Sequence, residues 1–177
     1  MQALERDVDR DSICRLVEGD VGPWRGLGRL DRAELPSCVG VPVGHGTIRF
    51  RLMLLAVDIY RDASSQAELR VCSAINDGTI ELIEVVPSRA LAAAALLDEL
   101  GAPSATHVHS AEERAMANLP VPSGGTLEEA IYSGRGLAIT IAREADGRAA
   151  VIRLRGFSPM PDKHYLDQYV RFEPESL

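Results

Sequence analysis

The chain has 177 residues, of which 46% are hydrophobic and 25% are charged, and its formal net charge is −7. This length fits a single domain, and the composition is that of a globular protein. The acidic balance argues against nucleic acid and anionic membrane surfaces as partners, because both attract basic surfaces. No apolar run approaches the roughly 20 residues that cross a bilayer as a helix.

The cysteines and the N-terminal segment bear on the cellular compartment. Cys14, Cys38 and Cys72 are widely spaced and form no C-x-x-C pair, so the sequence indicates neither a zinc ribbon nor a thioredoxin-like site. The chain begins MQALERDVDRD, which lacks the basic-then-apolar plan of a secretory signal. We therefore expect a cytoplasmic protein with reduced thiols.

A short helix and an irregular stretch lead into the rest of the chain. Residues 12–18 are predicted to form a helix that ends at Gly19, and the stretch 19–47 is rich in glycine and proline. We accordingly divide one domain, residues 1–177, into a helix plus irregular lead-in, 1–37, and a sheet-and-helix core, 38–177.

A long strand and a hairpin are predicted next. Residues 48–60, IRFRLMLLAVDIY, are apolar on both faces from Leu52 onward, which predicts a central strand covered on both sides. Residues 69–75 and 79–86 flank an Asn-Asp-Gly sequence at 76–78. These residue types tolerate the positive φ of a tight hairpin loop, so the pattern predicts two paired strands.

Four further helices are predicted between and after the strands. Ser88–Leu100 reads as a helix that is apolar all round. Capping boxes at Ser110–Glu113 and Thr126–Glu129 each predict the start of another helix. The amphipathic segment Asp162–Phe172 predicts a C-terminal helix.

The clearest hairpin spans residues 137–155 and turns at Asp146-Gly147. Strands joined by hairpins, with helices gathered between them, predict an α+β domain. We expect one antiparallel sheet of five to seven strands with helices packed mainly on one face. The chain shows no βαβ rhythm, which argues against a doubly wound dinucleotide fold.

A candidate metal site follows the predicted strand near residue 105. His107 and His109 are two residues apart, so on a strand they point the same way, and Glu113 follows on the next turn. From Gly101 the run G-x5-H-x-H-x3-E resembles the first half of the cupin metal motif, which implies that His107, His109 and Glu113 ligate a divalent metal. The second half, G-x5-P-x-G-x2-H, is not found. The alternatives are solvent-facing histidines and a Glu113 that only closes the capping box.

Asp58 lies inside the apolar run of the predicted central strand. A buried carboxylate is costly unless it is paired, and burial raises its pKa toward the range of a general acid or base. The alternative is that the strand ends near Asp58, whose carboxylate then reaches water or an arginine.

Arg153 and Arg155 alternate along the last predicted strand. We expect them to pair with carboxylates of neighbouring strands on an exposed sheet face, with Glu81, Glu84 or Glu144 as the partners. An anion or acidic-peptide site on the same face stays open as an alternative.

Two functions of different classes follow from these features. The first is a non-catalytic binding or assembly protein, either a homodimer or a subunit of a larger complex. It rests on the apolar helix Ser88–Leu100 and on the tyrosines of the C-terminal helix, which offer more apolar surface than one small sheet needs. The predicted interface comprises Arg153, Arg155, Tyr165, Leu166 and Tyr169.

The second function is a metal-dependent enzyme or small-molecule-binding protein with a site around His107, His109 and Asp58. The sequence favours the first function, with a protein partner or self-association and without a cofactor, because it shows no complete catalytic constellation. A divalent metal is the cofactor of the second.

Overall fold

Alternating apolar residues and glycine-containing turns make the β-strand the main secondary structure of the chain. A computed structural model describes residues 11–28, 30–35, 39–50, 53–117 and 119–170. These residues form one antiparallel sheet of nine strands, which is larger than the predicted five to seven.

The strands are β1 (Gly44–Phe50), β2 (Met53–Arg61), β3 (Glu68–Ala74), β4 (Ile80–Val86), β5 (Leu91–Ala92), β6 (Ala105–Val108), β7 (Thr126–Tyr132), β8 (Leu137–Arg143) and β9 (Ala149–Phe157). Their order in the sheet is β1-β2-β3-β4-β9-β8-β7-β6, and the short β5 pairs with β9. Consecutive strands therefore pair on each side, and β4 and β9 join the two halves at the centre.

Short helices surround the sheet. The α-helices are α1 (residues 11–18), α2 (Ala93–Leu100), α3 (Ala111–Ala117) and α4 (Asp162–Tyr165), and α4 continues as a π-helical turn, Leu166–Val170. Two 3-10 turns lie at Arg32–Glu34 and Ser133–Arg135. None of the helices in the described residues has the length and apolar content to cross a membrane.

Two hydrophobic clusters cover the two faces of the sheet. Successive residues of a strand point to opposite faces, and in β8 Ile139 packs into one cluster while Ala138 packs into the other. Helices α1 and α2 contribute to the first cluster, so we call that side the α1 face. Tyr165, Tyr169 and Val170 contribute to the second, which we call the α4 face. Helical segments thus cover both faces, not mainly one as predicted.

Both predicted hairpins are confirmed. β3 pairs with β4 and β8 pairs with β9, each antiparallel. The turns contain Gly78 with a φ of 76° and Gly147 with a φ of 90°, and residues other than glycine rarely adopt this conformation.

Two other predicted elements are wrong. The run 48–60 is not one strand but belongs to β1 and β2, which pair with Phe50 opposite Met53. The two residues between the strands, 51 and 52, are neither glycine nor proline, so the sequence carries no signal for a break there. The capping box Thr126–Glu129 does not open a helix, because this segment is the start of β7 and pairs with both β6 and β8. Tertiary pairing prevails over the local helix signal.

The predicted helix Ser88–Leu100 is also shorter than expected. Leu91 and Ala92 pair with β9 as strand β5, and the α-helix begins only at Ala93. Ala94 is exposed, so the helix does not bury all of its circumference.

Gly156 of β9 provides a test of the packing on the α1 face. A methyl group at this position would lie 2.4 Å from Cζ2 of the buried Trp24. The indole cannot simply move away, because its Nε1–H donates a hydrogen bond of 2.9 Å to the carbonyl of Gly136. We expect Gly156→Ala to lower the free energy of unfolding in urea by about 1–3 kcal/mol, the usual cost of overpacking.

Gly46→Ala is the matched control, because nothing lies within 4 Å of the methyl group it would add. Equal unfolding free energies for the two variants would contradict this account of the packing.

Candidate metal centre

A row of polar side chains crosses four strands on the α4 face. Residues directly opposite each other in an antiparallel pair share a face. The register sets His107 of β6 opposite Glu129 of β7. Glu129 is in turn opposite Thr140 of β8, and Thr140 is opposite Arg153 of β9. Glu129, Thr140 and Arg153 are buried, and the His107 side chain is 19% exposed.

A second row lies beside the first, near the centre of the sheet. Arg70 of β3 is opposite Glu84 of β4, which is opposite Arg155 of β9. Glu84 and Arg155 are buried, whereas the Arg70 side chain is 37% exposed. The predicted pairing of Arg155 with Glu84 is confirmed, but the face that carries it is buried, not exposed.

Glu84, Glu129, Arg153 and Arg155 interlock, and we call these four residues the charge network. Nε of Arg155 donates to Oε1 of Glu84 at 2.8 Å, and Nη1 of Arg155 lies 3.4 Å from Oε1 of Glu129. Arg153 lies 3.6 Å from Glu84 through Nη1 and 3.4 Å from Glu129 through Nη2. Each carboxylate therefore contacts both guanidinium groups.

The charge network keeps both carboxylates ionised. Burial raises the pKa of Glu84, but Arg155 and Arg153 lower it more, so the net shift is downward. Burial likewise raises the pKa of Glu129, and Arg155, the hydrogen bond from His109 and Arg153 together bring it well below its usual range.

The C-terminal helical segment closes over the charge network. The Tyr165 hydroxyl donates to Oε1 of Glu129 and accepts from Nη1 of Arg155 at 3.3 Å. Arg155 also donates to the carbonyl oxygen of Tyr169 at 3.1 Å. The Tyr165 ring stacks on Phe157 with 4.5 Å between ring centroids. Burial and the nearby Glu129 carboxylate raise the pKa of Tyr165 well above its usual value, so its hydroxyl keeps its proton.

His107, His109 and Glu113 converge at the β6 end of the first row, and we call them the metal-ligand cluster. Nε2 of His107 lies 2.9 Å from Oε2 of Glu113, and Nδ1 of His109 lies 3.9 Å from the same oxygen. One ligand atom from each residue lies within 4.8 Å of the other two. Ligands of a tetrahedral zinc ion, at about 2.0–2.1 Å from it, are about 3.4 Å apart, so small side-chain shifts bring the three residues to coordination distance. The nitrogen of His107 that faces Glu113 releases its proton when it ligates a metal.

Glu129 sets the orientation of His109. Nε2 of His109 lies 2.8 Å from Oε2 of Glu129, and an ionised carboxylate only accepts hydrogen bonds, so Nε2 carries the proton. In the neutral ring Nδ1 then has a free lone pair. This atom is buried and has no hydrogen-bond partner in the described part of the chain. A carboxylate behind a histidine, fixing its tautomer and ring plane, is the usual arrangement around metal-ligating histidines.

Glu113 has a structural role as well as a place in the metal-ligand cluster. Its Oε2 accepts a hydrogen bond of 2.7 Å from the Ser110 backbone, and its own N–H donates to the Ser110 hydroxyl at 3.2 Å. The predicted capping box at the start of α3 is thus confirmed. It holds the Glu113 carboxylate in place next to His107.

Asp58 lies on the other face of the sheet. It is opposite Val71, which belongs to the α1-face cluster. Arg32 contacts both oxygens of the buried Asp58 carboxylate, and Nδ1 of His45 lies 2.5 Å from Oδ1. The alternative that Asp58 reaches an arginine is confirmed, and the predicted grouping of Asp58 with His107 and His109 is not formed.

The cysteines differ from the expected set of reduced thiols. Cys72 is a free, buried thiol, and burial, with a smaller contribution from Glu84, raises its pKa to about 12. Cys14 is disulfide-bonded. Cys38 lies outside the described residues.

The residues predicted as an interface contact their own chain. Arg153, Arg155, Tyr165 and Tyr169 are buried and Leu166 is half-buried, all on the α4 face. Association with a partner or a second copy stays a prediction. Little of the surface of these side chains is exposed for such an interface.

Glu129, the residue that links the charge network to the metal-ligand cluster, was not identified from the sequence. The available signal was the alternation of Leu127, Glu129 and Ile131, which places a carboxylate on a buried face of β7. The capping-box pattern that begins at Thr126 predicts a helix instead. In a helix these three residues point in different directions, so the alternation did not identify a buried carboxylate.

Comparison of the chain with protein-family models, with curated proteins and with solved structures found no match in any of the three. The resemblance to a cupin metal motif is accordingly limited to the run from Gly101 to Glu113. The geometry of the site carries the functional argument.

The charge network gives a test of the pairing of Glu129. Removing one partner of a buried ion pair leaves an uncompensated charge, so we expect Glu129→Ala to lower the free energy of unfolding in urea by about 3–5 kcal/mol. The control is Glu144→Ala, which breaks an exposed ion pair with Arg148 and should cost about 0–1 kcal/mol. A loss of less than about 1 kcal/mol for Glu129→Ala would contradict the pairing.

Proposed function

We propose that this chain is a metal-dependent enzyme that holds a divalent first-row transition metal ion, with Zn²⁺ as the best match, at His107, His109 and Glu113. One observation carries the proposal. Nδ1 of His109 is buried, has no hydrogen-bond partner among the described residues and lies 3.9 Å from Oε2 of Glu113, while Glu129 holds the opposite nitrogen. A buried polar atom without a partner is costly, and a metal ion would satisfy it.

The donor set favours a transition metal. Two imidazoles and one carboxylate are the ligands of many catalytic zinc sites and of non-haem iron(II) sites. Ca²⁺ and Mg²⁺ prefer oxygen ligands, of which the metal-ligand cluster supplies only Glu113.

The number of ligands favours catalysis. Structural zinc sites are usually closed by four protein ligands, whereas catalytic sites use three and leave a position for water or substrate. The metal-ligand cluster offers three in the described residues. Zinc lowers the pKa of a bound water to about 7, so hydrolysis by a metal-bound hydroxide is the reaction class that this site fits best.

Zinc titration of the full chain, after treatment with a chelator, tests the proposal. We expect isothermal titration calorimetry to show one Zn²⁺ bound per chain and no comparable binding of Mg²⁺. Replacing a residue behind a ligand costs about 10- to 100-fold in metal affinity, so His107→Ala, His109→Ala and Glu113→Gln should each weaken zinc binding by more than that.

His164→Ala is the control, because this histidine is exposed on α4 and lies outside the cluster. It should bind zinc as tightly as the unaltered chain, and circular dichroism should confirm that every variant is folded. If His109→Ala retained the full affinity, or if the unaltered chain bound no zinc, the proposal would be wrong.

A further inference from the structure

We infer that the open position of the metal is the binding site of a small oxyanion, a carboxylate or a phosphate, which Arg70 receives at the pocket mouth. The inference rests on the proposed metal site and specifies the class of substrate that it takes. It follows from a pocket, from its charge and from the hydrogen-bonding state of one arginine.

A small pocket of about 130 Å³ connects the metal-ligand cluster to the second polar row. Its polar lining comes from Arg49, Arg70, Glu84, His109, Glu113, Arg153 and Arg155. Pockets for drug-sized ligands have volumes of about 300–1,000 Å³, so this one admits only a small molecule or one polar group of a larger molecule.

The charge of the pocket requires an anion once a divalent metal is bound. Four arginines line the pocket, Arg49, Arg70, Arg153 and Arg155. They outnumber the three nearby carboxylates, which are those of Glu84 and Glu113 in the lining and that of Glu129, which contacts Arg153 and Arg155. A divalent ion adds two positive charges, and Glu68, which pairs with Arg70 at the rim, offsets at most one of them. Uncompensated buried charge is strongly unfavourable, so an anionic ligand is favoured there.

Arg70 is well placed to bind that anion. Its only hydrogen bond among the described residues runs from Nε to Glu68 at 2.7 Å. Nη1 lies 3.7 Å from Glu84, which is beyond hydrogen-bonding range. The two Nη groups therefore remain available at the mouth of the pocket, and a guanidinium matches the paired oxygens of a carboxylate or phosphate.

Arg143 is a closely matched control for Arg70. Its side chain is 39% exposed, and its Nε donates to Glu128 at 2.8 Å, much as Arg70 donates to Glu68. It lines a separate cavity beside α2, where Glu128 is opposite Ile141 of the α1-face cluster. Arg143→Ala removes the same kind of side chain from the opposite face of the sheet.

The test uses the Co²⁺-loaded full chain, because the visible absorption of cobalt reports on its ligands without requiring an activity. Acetate and inorganic phosphate are titrated separately, so the two arms show which oxyanion is preferred. We expect at least one of them to change the spectrum saturably. Losing a hydrogen bond to a charged group costs about 10- to 150-fold in affinity, so Arg70→Ala should weaken this binding by about that factor while Co²⁺ affinity is retained. Arg143→Ala should leave anion affinity unchanged.

Each outcome separates the two proposals. If Co²⁺ does not bind, both the proposed function and this inference are wrong. If Co²⁺ binds but neither anion changes its spectrum, the metal site stands and the oxyanion site is wrong. If the anion binds equally well to Arg70→Ala and the unaltered chain, the anion ligates the metal alone and the assigned role of Arg70 is overturned.

Discussion

The burial of two carboxylates, Glu84 and Glu129, between Arg153 and Arg155 is the interaction on which the rest of the α4 face depends. Both faces of this sheet are covered, so its central strands have no solvent-exposed side for charged residues. Buried charges persist only if they are paired and hydrogen-bonded. The antiparallel register meets this requirement by bringing β4, β7 and β9 side chains of opposite charge into contact.

The same pairing gives His109 its orientation and the C-terminal segment its position. Glu129 is shared by two arginines, by the Tyr165 hydroxyl and by His109, so a single carboxylate connects the sheet, the covering helix and the metal-ligand cluster. An ion pair of this kind adds little stability compared with a well-packed apolar core. In the proposed function, its role is to fix the histidine tautomer that leaves Nδ1 free for a metal.

The sequence predicted those features whose signal lies within a few neighbouring residues. The hairpins at 76–78 and at Asp146-Gly147 were correctly predicted, because a turn that needs positive φ restricts the residues that can form it. The histidine pair was identified because a two-residue spacing on a strand fixes the relative direction of the side chains. The structure brings this pair and Glu113 together as that spacing predicts.

Pairings between residues far apart in the sequence were predicted only in part. The sequence offered Glu84 as one of three partners of Arg155, which is 71 residues away, but it did not predict that the pair is buried. The burial follows because β4 and β9 are neighbours at the centre of the sheet. Glu129 belongs to a capping-box pattern that also begins helices. Only the pairing of this segment with β6 and β8 makes it a strand. Residues 51 and 52, between β1 and β2, are neither glycine nor proline, so the hydrophobic periodicity of 48–60 predicted one strand where there are two.

X-ray absorption at the zinc edge of the zinc-loaded full chain tests the central claim most directly. The account predicts nitrogen and oxygen ligands at about 2.0–2.2 Å, with the multiple scattering of two imidazole rings, and no sulfur ligand. A sulfur ligand at about 2.3 Å, or a shell of oxygens without imidazole, would contradict it. Either result would show that Glu129 does not prepare His109 to bind a metal.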